Sequence, residues 1–449
     1  MMNITFIGQV KWGWACRLKG RDTMNAPEKI TVVIAGAGYA GLAAARTLGK
    51  SSRVRVILIN QHPYHLLQFQ LHEAAVNKID ADSLALPLTG LLPRGVELIT
   101  AKISHFDFAA RLVHTDRGGI AYDRLIIALG SQPATFNIPG LSEHGLMLKS
   151  LSHARQIRGH LEMRLSALAA ETRSTPYPIV IGGAGITGVE LAAELSEGLA
   201  DMARDYGLRR DDLSIVLIEA AATVLPGFDR KTIDEAARVL KQLGVDVRTG
   251  TTVERVTADR VMVKAADGQH FIETNTFIWT GGVKANSLVV NSDLRLGERG
   301  AAVVDHYLRS IDYPEVSVIG DSALVRDPRD GRVALPCGQL AAKQGQYAGK
   351  RLLAEVSGDV QEPYVPHLDG LLISLGSYRG VGAIGPLWVR RLIARLGKIG
   401  AELRYLFIIG GVKLVAARGL LLRHEWVTLT RRVRALYNRK ALRPRRDEA

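Results

Sequence analysis

Two glycine-rich segments of similar sequence constrain the fold of this 449-residue chain more than any other feature. Residues 32–48 read VVIAGAGYAGLAAARTL, and residues 179–195 read IVIGGAGITGVELAAEL. Each segment runs from a strand of branched apolar residues through a glycine cluster into an alanine-rich helix, as in the strand-to-helix turns that bind dinucleotides. We call these turns clamp 1 and clamp 2. One copy would be weak evidence, but two copies predict two nucleotide sites.

The spacing of the glycines gives each of them a separate role in a clamp. In clamp 1, Gly36 permits the tight turn, Gly38 lets the backbone approach a pyrophosphate, and Gly41 lets the helix pack close to the strand. The free N–H groups and the positive dipole end of the helix would then face the anion. In clamp 2 the same spacing is repeated by Gly183, Gly185 and Gly188.

The residue at the end of the next strand indicates which nucleotide each clamp prefers. After clamp 2 this residue is Glu219, and a carboxylate there accepts from both ribose hydroxyls and repels a 2′-phosphate, which favours NADH over NADPH. After clamp 1 the position holds Asn60, whose amide binds a hydroxyl less strongly. Two sites about 150 residues apart predict one cofactor that is held permanently and one that is exchanged.

Composition excludes several other classes of protein. Cys16 and Cys337 are the only cysteines and form no CxxC pair, which argues against a disulfide scaffold and fits a reducing compartment. The 12 His residues form no spaced metal motif, so we predict no metal site. No run of about 20 uncharged apolar residues is present, so we predict no membrane-spanning helix.

The net charge of +14 belongs almost wholly to the C-terminal end of the chain. Residues 388–446 contain 16 Lys and Arg against two Glu. Apolar residues recur there at helical steps from Trp388 through Leu396 to Phe407, while Arg395 and Lys398 are expected on other sides of the helix. This composition predicts a helix that lies in a membrane interface. The alternative is a solvated helix that covers the clamp 1 unit or forms a dimer contact.

Further segments along the chain resemble one family of flavoproteins. Residues 122–133, YDRLIIALGSQP, resemble the return of the chain to the flavin domain in two-dinucleotide flavoproteins. Residues 316–323, VSVIGDSA, are similar to the strand ending in Gly-Asp that holds the ribityl chain of FAD. Residues 335–352, LPCGQLAAKQGQYAGKRL, resemble a segment of type II NADH dehydrogenases, the single-subunit NADH:quinone oxidoreductases that do not pump protons. The resemblance covers about residues 29–385 in order.

The resemblance implies roles for particular residues. FAD would be bound by clamp 1 with Gly130 and Asp321, and NADH by clamp 2 with Gly281. Glu190 would lie near the nicotinamide and the flavin, although a carboxylate that only stabilises a helix N-terminus is the alternative. The quinone head would contact Gln339 and Gln344. Gly338 and Lys343 depart from the family pattern, so the identity of the quinone stays open. For Gln344 a solvated helix face is the alternative, and for His62, His65 and His72 we expect packing beside the FAD.

The order of the motifs predicts an α/β protein with two Rossmann-like doubly wound domains and a C-terminal helical anchor on the membrane surface. Asp321 belongs with clamp 1 but follows clamp 2, so the FAD-binding domain (24–150 and 285–385) is expected to be discontinuous, with the NADH-binding domain (151–284) inserted. Residues 1–23 are expected to be an extension that is disordered or not native. Residues 386–449 are expected to form the basic amphipathic helical tail.

These features predict an enzyme that transfers a hydride from NADH to FAD and two electrons to a membrane quinone, without pumping protons. Residues 388–440 would bind the anionic cytoplasmic face of the cell membrane as a peripheral anchor. Because both clamps lie upstream, a chain without the tail is expected to keep activity toward a water-soluble quinone. The sequence leaves open whether the chain forms a homodimer.

Three alternative functions are kept open. The nearest is a soluble NADH-dependent flavoreductase that passes electrons to a protein or a small acceptor. A sulfide:quinone-type oxidoreductase is more remote because that chemistry uses a cysteine pair. A nucleic-acid-binding flavoprotein is equally remote, and no nucleic acid is expected, because the basic tail lacks regularly placed aromatic residues for base stacking.

Overall fold

The computed structural model describes residues 29–441, with side chains through residue 419. The extension predicted at residues 1–23 and the last tail residues, 442–449, lie outside the described residues, as do the tail side chains beyond residue 419.

Helices and strands alternate through most of the described chain. The helices are α1 (Tyr39–Leu48), α2 (Leu71–Ala75), α3 (Leu141–His144), α4 (Leu151–Leu168), α5 (Ile186–Asp205), α6 (Arg230–Gln242), α7 (Ser287–Val290), α8 (Gly338–Ser357) and α9 (Arg391–Ala441). The strands are β1 (Ile30–Ala35), β2 (Val54–Asn60), β3 (Tyr64–Leu66), β4 (Ala85–Pro87), β5 (Val96–Thr100), β6 (Ile103–Asp107), β7 (Leu112–Thr115), β8 (Gly118–Ala121), β9 (Arg124–Ile127), β10 (Ser131–Pro133), β11 (Leu146–Met147), β12 (Tyr177–Gly182), β13 (Leu213–Ile218), β14 (Val245–Arg248), β15 (Thr252–Val256), β16 (Arg260–Ala265), β17 (Gly268–Glu273), β18 (Phe277–Trp279), β19 (Val283–Ala285), β20 (Ala302–Val303), β21 (Val316–Val318), β22 (Ala323–Leu324), β23 (Gly370–Ser374), β24 (Gly380–Ile384) and β25 (Leu387–Arg390).

The first five-stranded sheet is parallel and has the order β21-β9-β1-β2-β5. Residues Val32–Ala35 of its central strand β1 are buried, as expected for a parallel strand that is covered on both faces. Strand β21 pairs with β9, with Val318 opposite Ile127, although it follows clamp 2 in the chain. The chain therefore returns to the first sheet after clamp 2, in the order that the position of Asp321 predicted.

The second five-stranded sheet is also parallel and has the order β11-β18-β12-β13-β14. Gly182, at the end of β12, pairs with Ile218 on one side and with Trp279 on the other. The two parallel sheets confirm the α/β class and are consistent with two Rossmann-like units. The domain limits near residues 150, 285 and 385 stay predictions.

Close packing of α8 on α1 brings the glutamine segment to clamp 1. A Cβ at Gly345 would lie 2.0 Å from Ala40 O, and a Cβ at Gly349 would lie 2.8 Å from Thr47 Cβ. Only glycine permits this approach at position 345, since the nearest atom belongs to the rigid backbone of α1. The segment that begins at Gln339 is thereby held beside the first nucleotide turn.

The tail begins with a strand and not with a helix. Trp388 was predicted at the start of the amphipathic helix, but it lies on β25, where it pairs with Ala383 in the antiparallel sheet β23-β24-β25. Its Nε1 donates to Thr232 Oγ1 on α6 at 3.1 Å. Helix α9 starts at Arg391 and is interrupted at Gly411, which has a φ of 66°. The helix therefore begins three residues later than the apolar spacing predicted.

Within the described part of the chain, no helix is both long enough and apolar enough to cross a bilayer.

Candidate active site

Clamp 1 has the backbone geometry that its glycines predicted. Gly36 has a φ of +100° and its N–H donates to Ile59 O at 2.8 Å, which joins the turn to the end of β2. Gly38 is the N-cap residue of α1. A Cβ at Gly41 would lie 1.8 Å from Gly36 O, so α1 can pack this closely on its own turn only with glycine there.

Clamp 2 repeats these contacts at the end of β12. Gly183 has a φ of +99° and its N–H donates to Ile218 O at 2.7 Å. A Cβ at Gly188 would lie 1.9 Å from Gly183 O, and Gly185 is the N-cap residue of α5. Gly281 lies against the same turn, since a Cβ at Gly183 would be 2.4 Å from its Cα. The two segments are therefore matching turns in three dimensions.

Asn60 and Glu219 occupy equivalent positions beside the two clamps. Asn60 Oδ1 accepts a hydrogen bond from Ala37 N at 2.9 Å, and Glu219 Oε2 accepts one from Ala184 N at 2.7 Å. Each side chain thus braces the turn of its own clamp. The carboxylate of Glu219 also accepts from Ala221 N at 2.9 Å through Oε1. Binding of a ribose hydroxyl by either residue stays a prediction.

One large cavity extends from clamp 1 to α9 and has a volume of about 1680 Å³. Pockets for one small ligand have volumes of roughly 300–1,000 Å³, so this cavity has room for more than one. The predicted site residues on its wall are Gly36, Gly38, Asn60, Gly130, Glu190, Asp321 and Gln339. Helix α9 contributes Lys398, Glu402, Tyr405, Ile408 and Ile409.

Gly130 and Asp321 meet where β9 and β21 end side by side. Asp321 Oδ2 accepts a hydrogen bond from Ser131 Oγ at 2.6 Å, and Lys149 Nζ lies 3.6 Å from the same oxygen. Gly130 has a φ of +68°, and its carbonyl accepts from Ser322 Oγ at 2.9 Å. The two residues that the resemblance assigned to FAD are therefore adjacent on the cavity wall.

Glu190 is buried, and its partners come from elements outside its own helix. It is the fifth residue of α5, and its Oε1 accepts hydrogen bonds from Ser374 N at 2.9 Å and from Ser374 Oγ at 3.0 Å. Lys398 Nζ donates to the same oxygen, while His72 Nδ1 lies 3.8 Å from Oε2. Burial raises the pKa of the Glu190 carboxyl, but Lys398, His72 and the Ser374 N–H outweigh burial and hold it below its ordinary value.

Lys398 and Arg395 correct the predicted orientation of the tail helix. The sequence placed both on an outer, basic side, but Lys398 is 8% exposed and Arg395 is 2% exposed. Arg395 Nη2 donates to Oε1 of Glu73, on α2, at 3.0 Å. A charged side chain turns inward when a buried carboxylate can pair with it, and periodicity alone does not reveal such a partner. The first turns of α9 are therefore part of the site.

A second pair of charges extends this network toward the middle of α5. Lys78 Nζ lies 2.9 Å from Glu194 Oε2 and 3.9 Å from Glu73 Oε1. His72, Glu73 and Glu194 offer ligand atoms within 4.8 Å of one another, which is the spacing of a metal site. Because Lys78 and Arg395 already balance the two carboxylates, the geometry fits ion pairs better than a cation.

Gln339 and Gln344 lie on different sides of α8. Gln339 lines the cavity, and its Oε1 accepts from Asp369 N at 2.6 Å. Gln344 is 4% exposed, and its Oε1 accepts from Gly320 N at 2.6 Å, next to Asp321. The alternative of a solvated helix face is therefore wrong for Gln344. Lys343, which departs from the family pattern, donates to His367 O at 2.9 Å and pairs with Asp369.

His65 ties clamp 1 to α9. Its Nδ1–H donates to Ala37 O at 2.9 Å, which leaves Nε2 to accept from Tyr405 Oη at 2.8 Å. The Tyr405 and Tyr39 rings are 5.0 Å apart and both line the cavity. Burial lowers the pKa of His65 to about 4, so the imidazole is neutral. This histidine packs beside clamp 1.

Sequence reasoning missed Lys398, Ser374 and Tyr405 as residues of the site. One signal was available for Lys398, because a lysine flanked by apolar residues at helical spacing can lie on a buried face when an acid is near. The acid, Glu190, is 208 residues away in the chain, so the pairing could not be seen from local pattern.

Two parallel sheets with a glycine clamp at each define the class, an oxidoreductase that uses two dinucleotides. The family model for pyridine nucleotide-disulphide oxidoreductases matches residues 30–345. Because this match covers well over half of the chain, the chain belongs to that family.

Curated relatives and solved structures narrow the comparison. The type II NADH:quinone oxidoreductase of Staphylococcus saprophyticus is 28% identical over 400 residues, which cover 88% of this chain and 99% of the relative. The Staphylococcus aureus protein of the same name matches equally well. The structure of NDH2 from Plasmodium falciparum in complex with NADH has a TM-score of 0.79 at 15% identity and covers 88% of this chain and 98% of that one.

A further solved structure shares the fold. The sulfide:quinone oxidoreductase from Aquifex aeolicus has a TM-score of 0.71 at 19% identity, with 85% and 91% of the two chains covered. At these identities the solved structures bear on the fold alone. The family match and the curated relatives confirm the resemblance to type II NADH dehydrogenases that the motifs predicted.

Proposed function

We propose that this protein is a type II NADH:quinone oxidoreductase, in which clamp 1 holds FAD, clamp 2 binds NADH, and a quinone enters the cavity beside α9. The observation that carries the proposal is the buried Glu190–Lys398 pair on the wall of the cavity that also contains clamp 1. The pair joins the NADH-side helix α5, the tail helix α9 and the proposed FAD site at one place.

The residues around clamp 1 fit FAD. A Cβ at Gly38 or at Gly130 would meet no atom within 4 Å, so the backbone is open to a ligand at both positions. The N–H groups at the start of α1 would hold the pyrophosphate, Asn60 a ribose hydroxyl and Asp321 a hydroxyl of the ribityl chain. When bound, FAD accepts a hydride from NADH and passes two electrons to a quinone.

The Glu190–Lys398 pair has the chemistry to supply a proton inside the cavity. Reduction of a quinone by NADH takes up one proton in addition to the hydride, and bulk water has little access to a buried site. Lys398 Nζ holds a proton between Glu190 Oε1 and Ser374 Oγ, which lies 3.0 Å away. Glu190 Oε2, the oxygen on the His72 side, is free of these hydrogen bonds and can receive a proton.

Glu219 supports NADH as the nucleotide at clamp 2. Its two carboxylate oxygens are fixed by Ala184 N and Ala221 N at the end of β13. A negative charge held rigidly at this place accepts from ribose hydroxyls and repels the 2′-phosphate of NADPH.

The outer side of α9 supports attachment to a membrane surface. Ile393 is 66% exposed, Phe407 is 56% exposed and Val412 is 71% exposed. Large apolar side chains so exposed on one helix are typical of an interfacial helix. The adjoining basic residues add attraction to anionic lipid, so we propose peripheral attachment at the cytoplasmic face of the cell membrane. This places the mouth of the cavity near a quinone dissolved in the bilayer.

An absorbance experiment tests the proposal directly. The purified protein should show a flavin spectrum that NADH bleaches in the absence of oxygen, and a short quinone should then restore it. A colourless protein that stays colourless after FAD is added would overturn the assignment of clamp 1. Bleaching by NADH with no recovery by any quinone, but with recovery by a soluble protein or dye acceptor, would favour the soluble flavoreductase instead.

A further inference from the structure

Two cations on the inner side of α9 each meet one buried carboxylate. Arg395 and Lys398 are three residues apart, so both side chains project from the same side of the helix. Arg395 pairs with Glu73 at 3.0 Å, and Lys398 pairs with Glu190. Both pairs are almost completely buried, with side chains no more than 10% exposed.

The two pairs are linked through His72, which directly precedes Glu73 in α2 and lies 3.8 Å from Glu190 Oε2. Burial raises the pKa of Glu73, but Lys78, Arg395, His72 and Lys398 together hold it below its ordinary value. Lys398 therefore acts on Glu73 as well as on Glu190. Without Arg395, the Glu73 carboxylate would attract the Lys398 ammonium.

We propose that the Glu73–Arg395 ion pair is a positioning device for the active site, in which Arg395 occupies Glu73 and so reserves Lys398 for Glu190. Glu73 and Arg395 are positioning residues, since neither is argued to touch a substrate. The inference rests on the roles proposed above for Glu190 and Lys398.

Stability alone does not account for the pair. A buried ion pair contributes little net stability compared with apolar side chains of the same volume, because both charges lose their hydration. The network contains the acids Glu73, Glu190 and Glu194 and the cations Lys78, Arg395 and Lys398. Lys78 lies 2.9 Å from Glu194 and 3.9 Å from Glu73, so Arg395, at 3.0 Å, is the nearer cation to Glu73. Such matching specifies which cation meets Glu190.

The proposal predicts opposite effects for two variants that break the same pair. In Arg395→Met, Glu73 keeps Lys78 at 3.9 Å but loses its nearer cation, so it draws Lys398 away from Glu190 and the pKa of Glu190 rises. The acid limb of the pH–rate profile should move to higher pH by about one unit. In Glu73→Gln, the carboxylate that competes with Glu190 for Lys398 is gone while the charge of Arg395 remains, so the acid limb should stay in place or move to lower pH.

The measurement is made on full-length, FAD-loaded protein. The rates of flavin reduction by NADH and of reoxidation by a short, water-soluble quinone are recorded separately as a function of pH. The flavin spectrum shows whether each variant is loaded. Arg390→Met is the matched control, because Arg390 lies on β25 just before α9 and its guanidinium is half exposed, 3.6 Å from Glu235. Its acid limb should coincide with that of the parent protein.

The signs of the shifts decide the outcome. If the pair is merely structural, the acid limb of the pH–rate profile should shift in the same direction in both variants, and that result would overturn the proposal. An acid limb that does not move in Arg395→Met would also overturn it. The double variant Glu73→Gln/Arg395→Met removes both charges and should return the limb to the parent position. If Arg395→Met does not fold, an upward shift in Glu73→Gln still refutes the idea. A parent protein that is not reoxidised by quinone would refute the proposed function instead.

Discussion

At the scale of single residues, Glu190 shows how a local motif acquires a role from distant partners. Its position in α5 alone would suit a carboxylate that stabilises the helix N-terminus. Its hydrogen bonds go instead to Ser374 on β23 and to Lys398 on α9. The side chain therefore links three elements on the cavity wall.

Replacing Glu190 by Gln should affect turnover more than cofactor content. The amide keeps the shape of the side chain but cannot hold the charge that pairs with Lys398. We expect a yellow protein in which flavin reduction or reoxidation is slower by about 10²–10⁴-fold, the usual contribution of a general acid or base. Stopped-flow absorbance separates the two half-reactions. Glu162→Gln on the exposed side of α4 is the control. Unchanged rates of both half-reactions in Glu190→Gln would show that Glu190 only stabilises the end of its helix.

Glu219 should determine the choice between NADH and NADPH. Glu219→Gln keeps an oxygen acceptor for Ala184 N but removes the charge that repels a 2′-phosphate. We therefore expect the KM for NADH to rise and the KM for NADPH to fall, so that the preference for NADH over NADPH becomes smaller. Steady-state kinetics with both nucleotides measure this. Equal use of both nucleotides by the parent protein would show that Glu219 has no such role.

The sequence revealed the residues whose role is local and missed those whose role depends on a distant partner. Gly36, Gly41 and Gly183 could be predicted because a tight turn and a close helix need glycine whatever surrounds them. Lys398 could not, since an amphipathic pattern does not state which side of a helix faces the protein. Only the fold brings it to Glu190.

At the scale of elements, α9 carries exposed apolar residues on its outer side and buries Arg395 and Lys398 on its inner side, the reverse of the predicted arrangement for these two cations. The exposed apolar residues should therefore carry part of the membrane attachment. We expect Ile393→Glu/Phe407→Glu to lower co-sedimentation with anionic vesicles, because two exposed apolar side chains are replaced by charges that the anionic lipid repels. Val360→Glu, at a residue 94% exposed in the loop after α8, is the control.

The salt dependence of this attachment separates its two components. Raised salt should weaken binding of the parent protein without abolishing it, since screening acts on the basic residues and not on apolar contacts. A parent protein that ignores anionic vesicles at low salt would contradict the membrane proposal. Extraction only by detergent, never by salt or alkali, would also contradict it.

The position of Lys398 reverses one expectation about the tail. A chain without the tail was expected to keep activity toward a water-soluble quinone, because both clamps lie upstream. Deletion of residues 391–449 removes Arg395 and Lys398 from buried pairs and should abolish that activity. Deletion of residues 420–449 removes nine Lys and Arg but keeps the inner side of α9. This shorter deletion should keep the activity and weaken vesicle binding, and equal activity in both truncated chains would contradict the assignment.

The late start of α9 has a physical cause that local pattern could not reveal. Residues 387–389 are apolar and Trp388 fits the helical spacing, but residues 387–390 are held by hydrogen bonds to β24. Trp388 gains a further contact to Thr232 on α6. Tertiary pairing thus overrides the periodicity of a four-residue segment, as is usual for short elements.

At the scale of the whole molecule, His65 couples the stability of the protein to pH. Its pKa is lowered from 6.5 to about 4 because the imidazole is buried between clamp 1 and Tyr405. Between pH 4 and 6.5 the unfolded chain therefore binds more protons than the folded chain. The free energy of unfolding should rise with pH across this window, by up to about 3 kcal/mol from this residue.

Denaturant unfolding at several pH values measures this effect. His65→Gln should flatten the dependence between pH 4 and 6.5 while lowering stability at neutral pH, because the amide keeps only part of the contacts to Ala37 and Tyr405. His62→Gln, at an exposed neighbour, is the control. An unchanged slope in His65→Gln would show that the titration of another group dominates.

The overall architecture was the part most accessible from sequence. Two clamps, each with its own following strand, require two parallel sheets, and the position of Asp321 requires the chain to return to the first of them. The antiparallel sheet β23-β24-β25 was missed because its strands are short and lie in a glycine-rich segment without clear alternation.

The return of β21 to the first sheet also fixes an order of events during synthesis. Once the ribosome has released β18, the second sheet has all five of its strands, since β11 to β14 precede it. At that moment the first sheet still lacks β21, and α8, which packs on α1, has not yet been synthesised. The unit that the chain starts first is therefore completed last, with the flank of β9 uncovered meanwhile. A nascent chain should acquire its nicotinamide-nucleotide unit before it can retain a flavin, and chaperones that shield apolar surface should act on the earlier segment.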